Sequence, residues 1–387
     1  MLNSLTIRNF RSLTDFSVAR LGRVNLIVGK NNSGKSSVLE AIRIFAANAH
    51  RSLLEEIAEG HDEKTRLRDS ERDDPGAELP FEDFFSGRRF PDGESQGIVI
   101  EDPTAPRTKL EINHAFVEET EEVIKLESGE TSTRIRRRPI FKDSPATVEG
   151  VVRHALLVTK EEKPSFIFLD LPLYRTSALE LPGVLPCSVV PTQFISINDL
   201  ARDWDKILFT EHAELVKQAL RSIAPDFEDL AFVETGDTIQ RPYRPREREI
   251  RRTAKVKLSG SSRSIPLNSL GDGMLRVFQL VLRIFHAKGG ILLIDEFENG
   301  LHYSIQEEIW SLIFDQAEKL DLQVFATTHS WDCIESFSKV ACNKKNIPGV
   351  LFRVGKSARS SDKGRVISTI FESDNLFGIT QADVEVR

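Results

Sequence analysis

Residues 24–37 read Val-Asn-Leu-Ile-Val-Gly-Lys-Asn-Asn-Ser-Gly-Lys-Ser-Ser, an apolar run that passes directly into a glycine-rich turn. Residues 29–36 have the G-x-x-x-x-G-K-S spacing of a phosphate-binding loop. Apolar residues then recur at helical spacing, which predicts a helix starting at the loop: Val38, Leu39, Ile42, Phe45 and Ala46. A strand, a loop and a helix in this order predict an α/β fold of the P-loop NTPase class with a mostly parallel central sheet.

The loop predicts a nucleotide site because backbone N–H groups converge there and a helix N-terminus adds positive potential. We expect Lys35 to contact the β- and γ-phosphates of ATP and the Ser36 hydroxyl to bind Mg²⁺. The residues predicted to bind the nucleotide here are Gly29, Asn31, Asn32, Ser33, Gly34, Lys35, Ser36 and Ser37.

Two carboxylates follow a second apolar strand. Residues 291–294 read Ile-Leu-Leu-Ile, and Asp295 and Glu296 come directly after them. Open α/β sheets bind ligands at the carboxyl ends of their strands. We therefore expect Asp295 to hold the Mg²⁺ shell and Glu296 to orient or deprotonate the attacking water.

His329 follows the next predicted strand, residues 323–327. A lone histidine at a strand end is often structural. Its position one strand after the two carboxylates favours a catalytic sensor that bonds the γ-phosphate or positions water.

Residues 269–273, Ser-Leu-Gly-Asp-Gly, open another predicted helix. Ser269, Gly271 and Gly273 would present donors at a helix N-terminus, which makes a second candidate anion site. Since the phosphate loop already holds the chain's own nucleotide, this site indicates docking against the γ-phosphate of another subunit. The alternative is a plain helix cap.

Residues 1–50 and 254–387 are predicted to form one discontinuous head, with residues 51–253 as an insert. The insert begins with a charged segment, residues 60–80, whose composition is typical of a mobile chain. Short strand candidates and an amphipathic helical region, residues 203–223, follow. Sustained heptads are missing from this region, which predicts a compact insert without a long coiled-coil arm.

Composition restricts the protein class. The 387 residues are 40% hydrophobic and 29% charged, and the net charge of −7 gives no overall basic field. No run approaches the roughly 20 apolar residues of a membrane helix, and we expect no membrane and a cytoplasmic protein. Cys187, Cys333 and Cys342 are expected to be reduced thiols.

Two arginine clusters leave nucleic acid as a possible partner, namely Arg134, Arg136, Arg137 and Arg138, and later Arg241, Arg244, Arg246, Arg248, Arg251 and Arg252. One interpretation is a solvated sheet face. The other is a surface that binds phosphate backbone or docks a partner.

Together, five segments resemble the ABC-type ATPases of the SMC/RecF branch, and most closely the ATPase part of the OLD family (overcoming lysogenization defect). They are residues 5–11, 29–36, 269–273, 293–302 and 327–330. The resemblance implies an ABC-type ATPase head, an antiparallel β subdomain and a helical insert. It also implies a head-to-tail homodimer around two ATP molecules, with Ser269 and Gly271 acting in trans and Glu296 as general base. Such a protein is expected to have a glutamine that reaches Mg²⁺, for which Gln193 is our candidate.

The chain departs from this pattern in two respects. Leu270 and Asp272 replace the Gly and Gln of transporter signatures. Full OLD nucleases also continue into a Toprim nuclease domain, whereas this sequence ends at Arg387. The sequence therefore predicts an ATP-driven switch that controls a separate effector, plausibly a nuclease, in DNA transactions or antiphage defence. Alternatives are an ATP-gated DNA clamp and, less favoured, a transporter's nucleotide-binding subunit.

Overall fold

The computed structural model describes residues 1–61, 81–91, 96–105, 108–125, 131–140, 150–161, 163–169, 184–241 and 244–371. The charged segment expected to be mobile lies almost entirely outside these residues. Three groups of strands and seven α-helices make up the described fold.

A six-stranded sheet forms the centre of the molecule. Five of its strands are parallel, and the strand Val366–Phe371 at one edge is antiparallel to its neighbour. Its spatial order is β16-β15-β3-β14-β13-β9. The mostly parallel sheet of a P-loop NTPase is thereby confirmed. The strands are β3 (Val24–Val28), β9 (Cys187–Val190), β13 (Ile291–Ile294), β14 (Gln323–Thr328), β15 (Gly349–Lys356) and β16 (Val366–Phe371).

Seven helices accompany this sheet. They are α1 (Lys35–Ala46), α2 (Arg51–Gly60), α3 (Ile197–Ile207), α4 (Glu211–Ile223), α5 (Asp272–His286), α6 (Tyr303–Lys319) and α7 (Trp331–Asn343).

The central strands are mostly apolar because both faces of the sheet are covered. Every residue of β3, β13 and β14 is buried. Leu26 and Leu292 belong to a core shared with α5, α6 and α7, whereas Ile27 and Leu293 belong to a second core shared with α1. A strand buried on both faces has no polar side to show, which explains its continuous apolar run.

A second, antiparallel sheet covers the α1 side. Its order is β2-β1-β4-β5-β7-β8, with β6 also paired to β5. The strands are β1 (Leu5–Phe10), β2 (Leu13–Val18), β4 (Ile98–Glu101), β5 (Leu110–Lys125), β6 (Thr131–Ile140), β7 (Val151–Lys160) and β8 (Lys163–Phe168). The expected antiparallel subdomain is present, and β5 is a single strand of 16 residues.

The third group is a two-stranded ribbon, β10 (Phe227–Arg241) and β11 (Arg244–Leu258), with the short β12 (Ile265–Pro266) beside its base. Phe227, Leu230, Ala254 and Val256 are buried at the base, in the core that also holds α3 and α4. Within the described residues of the predicted insert the longest helix is α4, with 13 residues, and no long coiled-coil arm is present there.

The predicted helical region 203–223 is two helices, since the chain breaks at residues 208–210 between α3 and α4. Thr210 causes the restart: its side chain accepts a hydrogen bond from the His212 N–H at 3.3 Å, which caps α4.

The domain boundaries at residues 50/51 and 253/254 stay a prediction. Cys187–Val190, from within the predicted insert, forms an edge strand of the central sheet beside Ile291–Ile294. Leu5–Phe10, from the predicted head, pairs with Ile98–Glu101 in the antiparallel sheet.

Candidate nucleotide-binding and hydrolysis site

The phosphate loop connects β3 to α1, and α1 begins at Lys35. Gly29 lies so close to the neighbouring strand that a Cβ there would be 2.3 Å from the Val354 carbonyl oxygen. Gly34 has φ 105°, in the region that favours glycine. Both glycines of the motif are therefore required by the backbone, and the loop directs the free N–H groups of the first turn of α1 toward one point.

Lys35 folds back onto this loop. Its Nζ donates to the carbonyl oxygens of Gly29 at 2.7 Å and Lys30 at 3.0 Å. Burial lowers the pKa of Lys35, although the carboxylates of Asp295, Glu296 and Glu298 act in the opposite direction. The ammonium group is thus held inside the loop, next to the carboxylates that follow β13.

Asp295 is fixed by hydroxyl groups from both neighbouring strands. Its Oδ1 accepts from Thr327 Oγ1 at 2.7 Å, and its Oδ2 accepts from Thr192 Oγ1 at 3.0 Å. Thr327 lies in β14, and Thr192 comes two residues after β9. Neither threonine was predicted as a site residue, but both stand at the carboxyl edge of strands beside β13, and that position is the signal that identifies them.

Glu296 has an unusual backbone, with φ 48°. Its N–H donates to Thr327 Oγ1 at 2.8 Å, and the following N–H, of Phe297, donates to the Thr327 carbonyl at 2.9 Å. A left-handed glutamate costs about 1–3 kcal/mol, so its surroundings must hold it in place. The bend turns the chain out of the sheet directly after Asp295.

His329 stands opposite these carboxylates. Its Nδ1 is 3.1 Å from Glu298 Oε1 and 3.8 Å from Glu296 Oε1, and its backbone N–H donates to Glu298 at 2.9 Å. The ring is about half exposed, at 49%. Glu298, which the sequence did not predict as a site residue, therefore orients the histidine, while Glu296 lies within reach of both the histidine and solvent.

Arg276 of α5 contacts the backbone of this site. Its Nη2 donates to the carbonyl oxygens of Asp295 and Glu296, both at 2.8 Å, and its Nη1 donates to Pro191 O at 2.6 Å. Burial lowers the pKa of Arg276 to about 10, against the opposing charges of Asp295, Glu298 and Glu296. Sequence reasoning missed this residue because a single arginine in an apolar helix predicts no partner.

The segment Ser269-Leu270-Gly271-Asp272-Gly273 lies at the exposed start of α5. Ser269 belongs to a 3₁₀ turn, Leu267–Leu270, and Gly271 has φ 92° before the helix begins at Asp272. A Cβ on Gly273 would be 3.0 Å from the Gly300 carbonyl oxygen. Among the described residues no hydrogen bond joins Ser269 to the phosphate loop of the same chain.

Gln193 is exposed and comes directly after Thr192. The Thr192 side chain reaches Asp295, and its carbonyl accepts from Asn299 Nδ2 at 2.7 Å. The glutamine therefore stands at the same sheet edge as Asp295. Its contact with a metal ion stays a prediction.

Three arginines of the first cluster pair with glutamates of the antiparallel sheet, whereas the side chain of Arg134 lies outside the described residues. β5 and β6 pair Glu119 with Arg137 and Glu118 with Arg138, and the Arg137–Glu119 ion pair measures 2.9 Å. Arg136 pairs with Glu122 at 2.9 Å. These contacts favour a solvated charged face over a phosphate-binding surface for this cluster.

In the second cluster, Arg252 donates to both Asp205 oxygens, whereas Arg251 is exposed. The side chains of Arg241, Arg244, Arg246 and Arg248 lie outside the described residues.

In the described part of the chain all three thiols are free, and burial raises the pKa of Cys187 to about 11. None of the described helices combines the length and the apolar character needed to cross a bilayer.

Comparison with known families identifies the region that carries this site. A model described as "AAA ATPase domain" matches residues 1–170, and one described as "AAA domain, putative AbiEii toxin, Type IV TA system" matches residues 162–332. Over residues 1–332 the chain is therefore similar to AAA ATPase domains. The two matches meet within the predicted insert and include both the phosphate loop and the carboxylates after β13.

One full-length relative and two solved structures are similar to this chain. The "ATP/GTP phosphatase" of Helicobacter pylori is 22% identical over 366 residues, which cover 89% of each chain. An SMC head bound to the C-winged helix domain of ScpA has a TM-score of 0.47 at 12% identity, covering 96% of this chain and 97% of the other. The SMC head domain from Thermotoga maritima has a TM-score of 0.42 at 14% identity, covering 96% and 99%. The OLD family is not among these matches.

Proposed function

We propose that this protein binds and hydrolyses ATP with Mg²⁺, with Lys35 on the phosphates, Glu296 as the base for the attacking water and His329 beside it. The observation that carries the proposal is the arrangement around Thr327, whose hydroxyl bonds both Asp295 and the Glu296 backbone. It brings a metal-binding carboxylate and a candidate base together at the mouth of a phosphate loop.

The phosphate loop contains a polar group that a bound phosphate would satisfy. Ser33 Oγ is buried and has no hydrogen-bond partner among the described residues. Unpaired buried hydroxyls are costly, and sites that bind a ligand are where they persist. Asn31, Asn32 and the amides up to Ser37 would surround the phosphate chain with further donors.

The residues at hand also fit Mg²⁺, which prefers oxygen ligands and keeps several waters. The Ser36 hydroxyl and the Asp295 carboxylate would hold it, with Gln193 as a further proposed ligand. The described residues contain no group of three His, Cys, Asp or Glu side chains suited to a metal ion. Phosphate oxygens and water would therefore complete the shell, and the ion would neutralise phosphate charge.

The hydrolytic step is then assigned to this chain's own groups. Glu296 would accept a hydrogen bond from the attacking water, and His329, oriented by Glu298, would position the water or the γ-phosphate. Lys35 would exchange its carbonyl partners in the loop for phosphate oxygens and stabilise the charge that develops there.

The exposed start of α5 supports a homodimer that closes around ATP. Ser269, Gly271 and Gly273 present an exposed anion site, and the chain's own phosphate loop is not hydrogen-bonded to it. A second copy placed head to tail would supply the γ-phosphate. Gly300 lies beside Gly273. Residues 300–302 would therefore link the two sites across such an interface.

The biological role that we propose for this ATPase rests on its resemblance to the SMC/RecF branch and the OLD family. Control of a separate effector, plausibly a nuclease, in DNA transactions or antiphage defence is the function we favour, with a cytoplasmic location. The toxin named in one matching model's description is compatible with a defence role. An ATP-gated DNA clamp is the second candidate, and the arginines of the β10–β11 ribbon are the feature that favours it. DNA affinity that falls steeply with salt would support the clamp.

Three variants test the hydrolytic proposal. Glu296→Gln should retain ATP binding, lose hydrolysis by a factor of about 100 or more and accumulate an ATP-bound dimer. Lys35→Ala should lose both binding and dimerisation. Glu307→Gln, an exposed glutamate of α6, is the matched control and should behave as wild type. Normal hydrolysis by Glu296→Gln would show that the base is assigned wrongly.

A further inference from the structure

A cavity of about 590 Å³ opens next to the phosphate loop and is not used by the hydrolytic groups. Residues 30–33 of the loop form one wall, and the β15–β16 hairpin forms the other. The residues that line the hairpin side are Arg353, Val354, Gly355, Lys356, Ala358, Ile367 and Thr369. The volume lies within the roughly 300–1,000 Å³ range of small-molecule sites.

The position of this cavity follows from the order of the central strands. β14 and β13 lie on one side of β3, and β15 and β16 lie on the other. The carboxylates of Asp295 and Glu296 are therefore on the opposite side of the phosphate loop from the cavity. A phosphate chain in the loop has its reacting end at the carboxylates, so its other end leads toward the cavity.

The lining combines the two properties that a nucleoside 5′-phosphate requires. Ala358 and Ile367 supply apolar surface for a flat base, and Asn31 and Thr369 supply polar groups for the sugar. The cationic groups at the cavity are Lys30, Arg353 and Lys356, and no carboxylate of the described residues forms an ion pair with any of them. Cations without internal partners are available to an anionic ligand, and a guanidinium also stacks on aromatic rings.

We propose that this cavity holds the base and ribose of the bound nucleotide, with Arg353 contacting them and Lys356 beside the sugar-phosphate end. The inference rests on the proposed function, because it requires the phosphates to occupy the loop. It adds the residues that distinguish a nucleotide from a bare polyphosphate.

Gly355 offers a direct way to fill the cavity. A Cβ built there would meet only Arg353 Nε, at 3.8 Å, and the backbone is not in the left-handed region. Gly355→Leu should therefore project four carbons into the cavity without a backbone clash. Gly60→Leu is the matched control, since a Cβ at this exposed helix end meets nothing within 4 Å.

The test compares two ligands by calorimetry in the presence of Mg²⁺: ATP and inorganic tripolyphosphate. Tripolyphosphate has the phosphates of ATP but no nucleoside, so it reports the loop alone. We expect Gly355→Leu to raise the Kd for ATP by about tenfold or more, which corresponds to losing a few well-packed ligand contacts. Its Kd for tripolyphosphate should change less than about twofold, and Gly60→Leu should match wild type for both ligands.

The possible failures are distinguishable. If folded Gly355→Leu binds ATP as wild type does, or loses both ligands equally, the cavity is not the nucleoside site. If wild type binds neither ligand, the proposed function itself is wrong. Thermal unfolding checks folding of the variant. Should Gly355→Leu not fold, Thr369→Phe fills the same cavity from the exposed strand β16 and is subject to the same criteria.

Discussion

The Thr327 hydroxyl donates a hydrogen bond to Asp295 Oδ1 at 2.7 Å. The Thr327 hydroxyl oxygen in turn accepts a hydrogen bond from the Glu296 N–H at 2.8 Å. The pairing of β13 with β14 brings Ile294 opposite Ala326, so the next residue of each strand also falls side by side. One hydroxyl therefore fixes the carboxylate proposed to bind Mg²⁺ and the backbone of the glutamate proposed to act on water.

Thr327→Val should lower the ATP hydrolysis rate by about 10- to 100-fold, the usual effect of removing a group that orients a metal ligand. Valine preserves the shape of the side chain but can neither donate to Asp295 nor accept from Glu296. The half-saturating Mg²⁺ concentration should rise as well. Thr327→Ser keeps the hydroxyl and should restore most of the rate. A valine variant with wild-type rate and Mg²⁺ dependence would contradict the role assigned to this residue.

Arg276 should matter for both stability and catalysis. Arg276→Met keeps much of the side-chain volume but leaves the carbonyls of Pro191 and Asp295 without their donor. The Glu296 carbonyl loses one donor and keeps the Asn299 N–H. Each buried carbonyl that loses its partner costs about 1–3 kcal/mol, so chemical denaturation should show a loss of at least about 2 kcal/mol. Because the strained backbone of Glu296 loses a contact, kcat should also fall. Equal stability of the variant and wild type would argue that water replaces the guanidinium at no cost.

Local spacing was enough to predict the centre of the fold. Residues 24–37 and 291–296 carry strand, loop and carboxylates within a few positions, and the structure has the expected elements there. The short strand Leu13–Val18 was missed because its alternation covers only six residues. The break between α3 and α4 was missed because it contains neither glycine nor proline, and only the Thr210 cap marks it.

The supporting residues of the site could not be predicted in the same way. Thr192 lies 103 positions before Asp295, and Thr327 lies 32 positions after it. Arg276 reaches Asp295 across 19 positions and a helix-to-strand connection. Strand order decides which of these residues meet, and a single sequence does not encode strand order in any local pattern.

The charged face of the antiparallel sheet should make stability depend on acid pH. Burial raises the pKa of Glu119, but hydrogen bonds from Arg153 and Arg137 outweigh this, and its pKa is lowered from 4.5. A carboxyl whose pKa is lower in the folded state stabilises the protein above its unfolded pKa. This contribution is lost as the pH falls below 4.5 through the folded value.

Glu119→Gln should therefore be less stable than wild type at pH 7, and the difference should shrink as the pH falls below about 4.5. Denaturation curves measured from pH 7 to pH 3.5 provide the comparison. Glu121→Gln is the matched control, since Glu121 is exposed on the same strand opposite Ile135. A Glu119→Gln deficit that stays constant over this range would mean that packing and not charge is responsible.

The trans role proposed for Ser269 can be tested by a complementation experiment. In a head-to-tail dimer each site combines the phosphate loop of one subunit with the α5 start of the other. Lys35→Ala and Ser269→Arg should each abolish hydrolysis when present in both subunits. A mixed dimer has one site that carries both defects and one site that carries neither, so mixing two inactive variants should restore activity.

The expected yield distinguishes trans from cis action. Each mixed dimer has one intact site out of two, whereas Lys35→Ala subunits do not pair with each other. Even if every subunit pairs with the other variant, activity should recover to at most about one half of wild type when the two sites act independently. If Ser269 served its own subunit's nucleotide, each mixed dimer would hold one defect in each site and the mixture would stay inactive. Measuring phosphate release across a series of mixing ratios decides between these outcomes, because trans action gives a maximum at equal amounts.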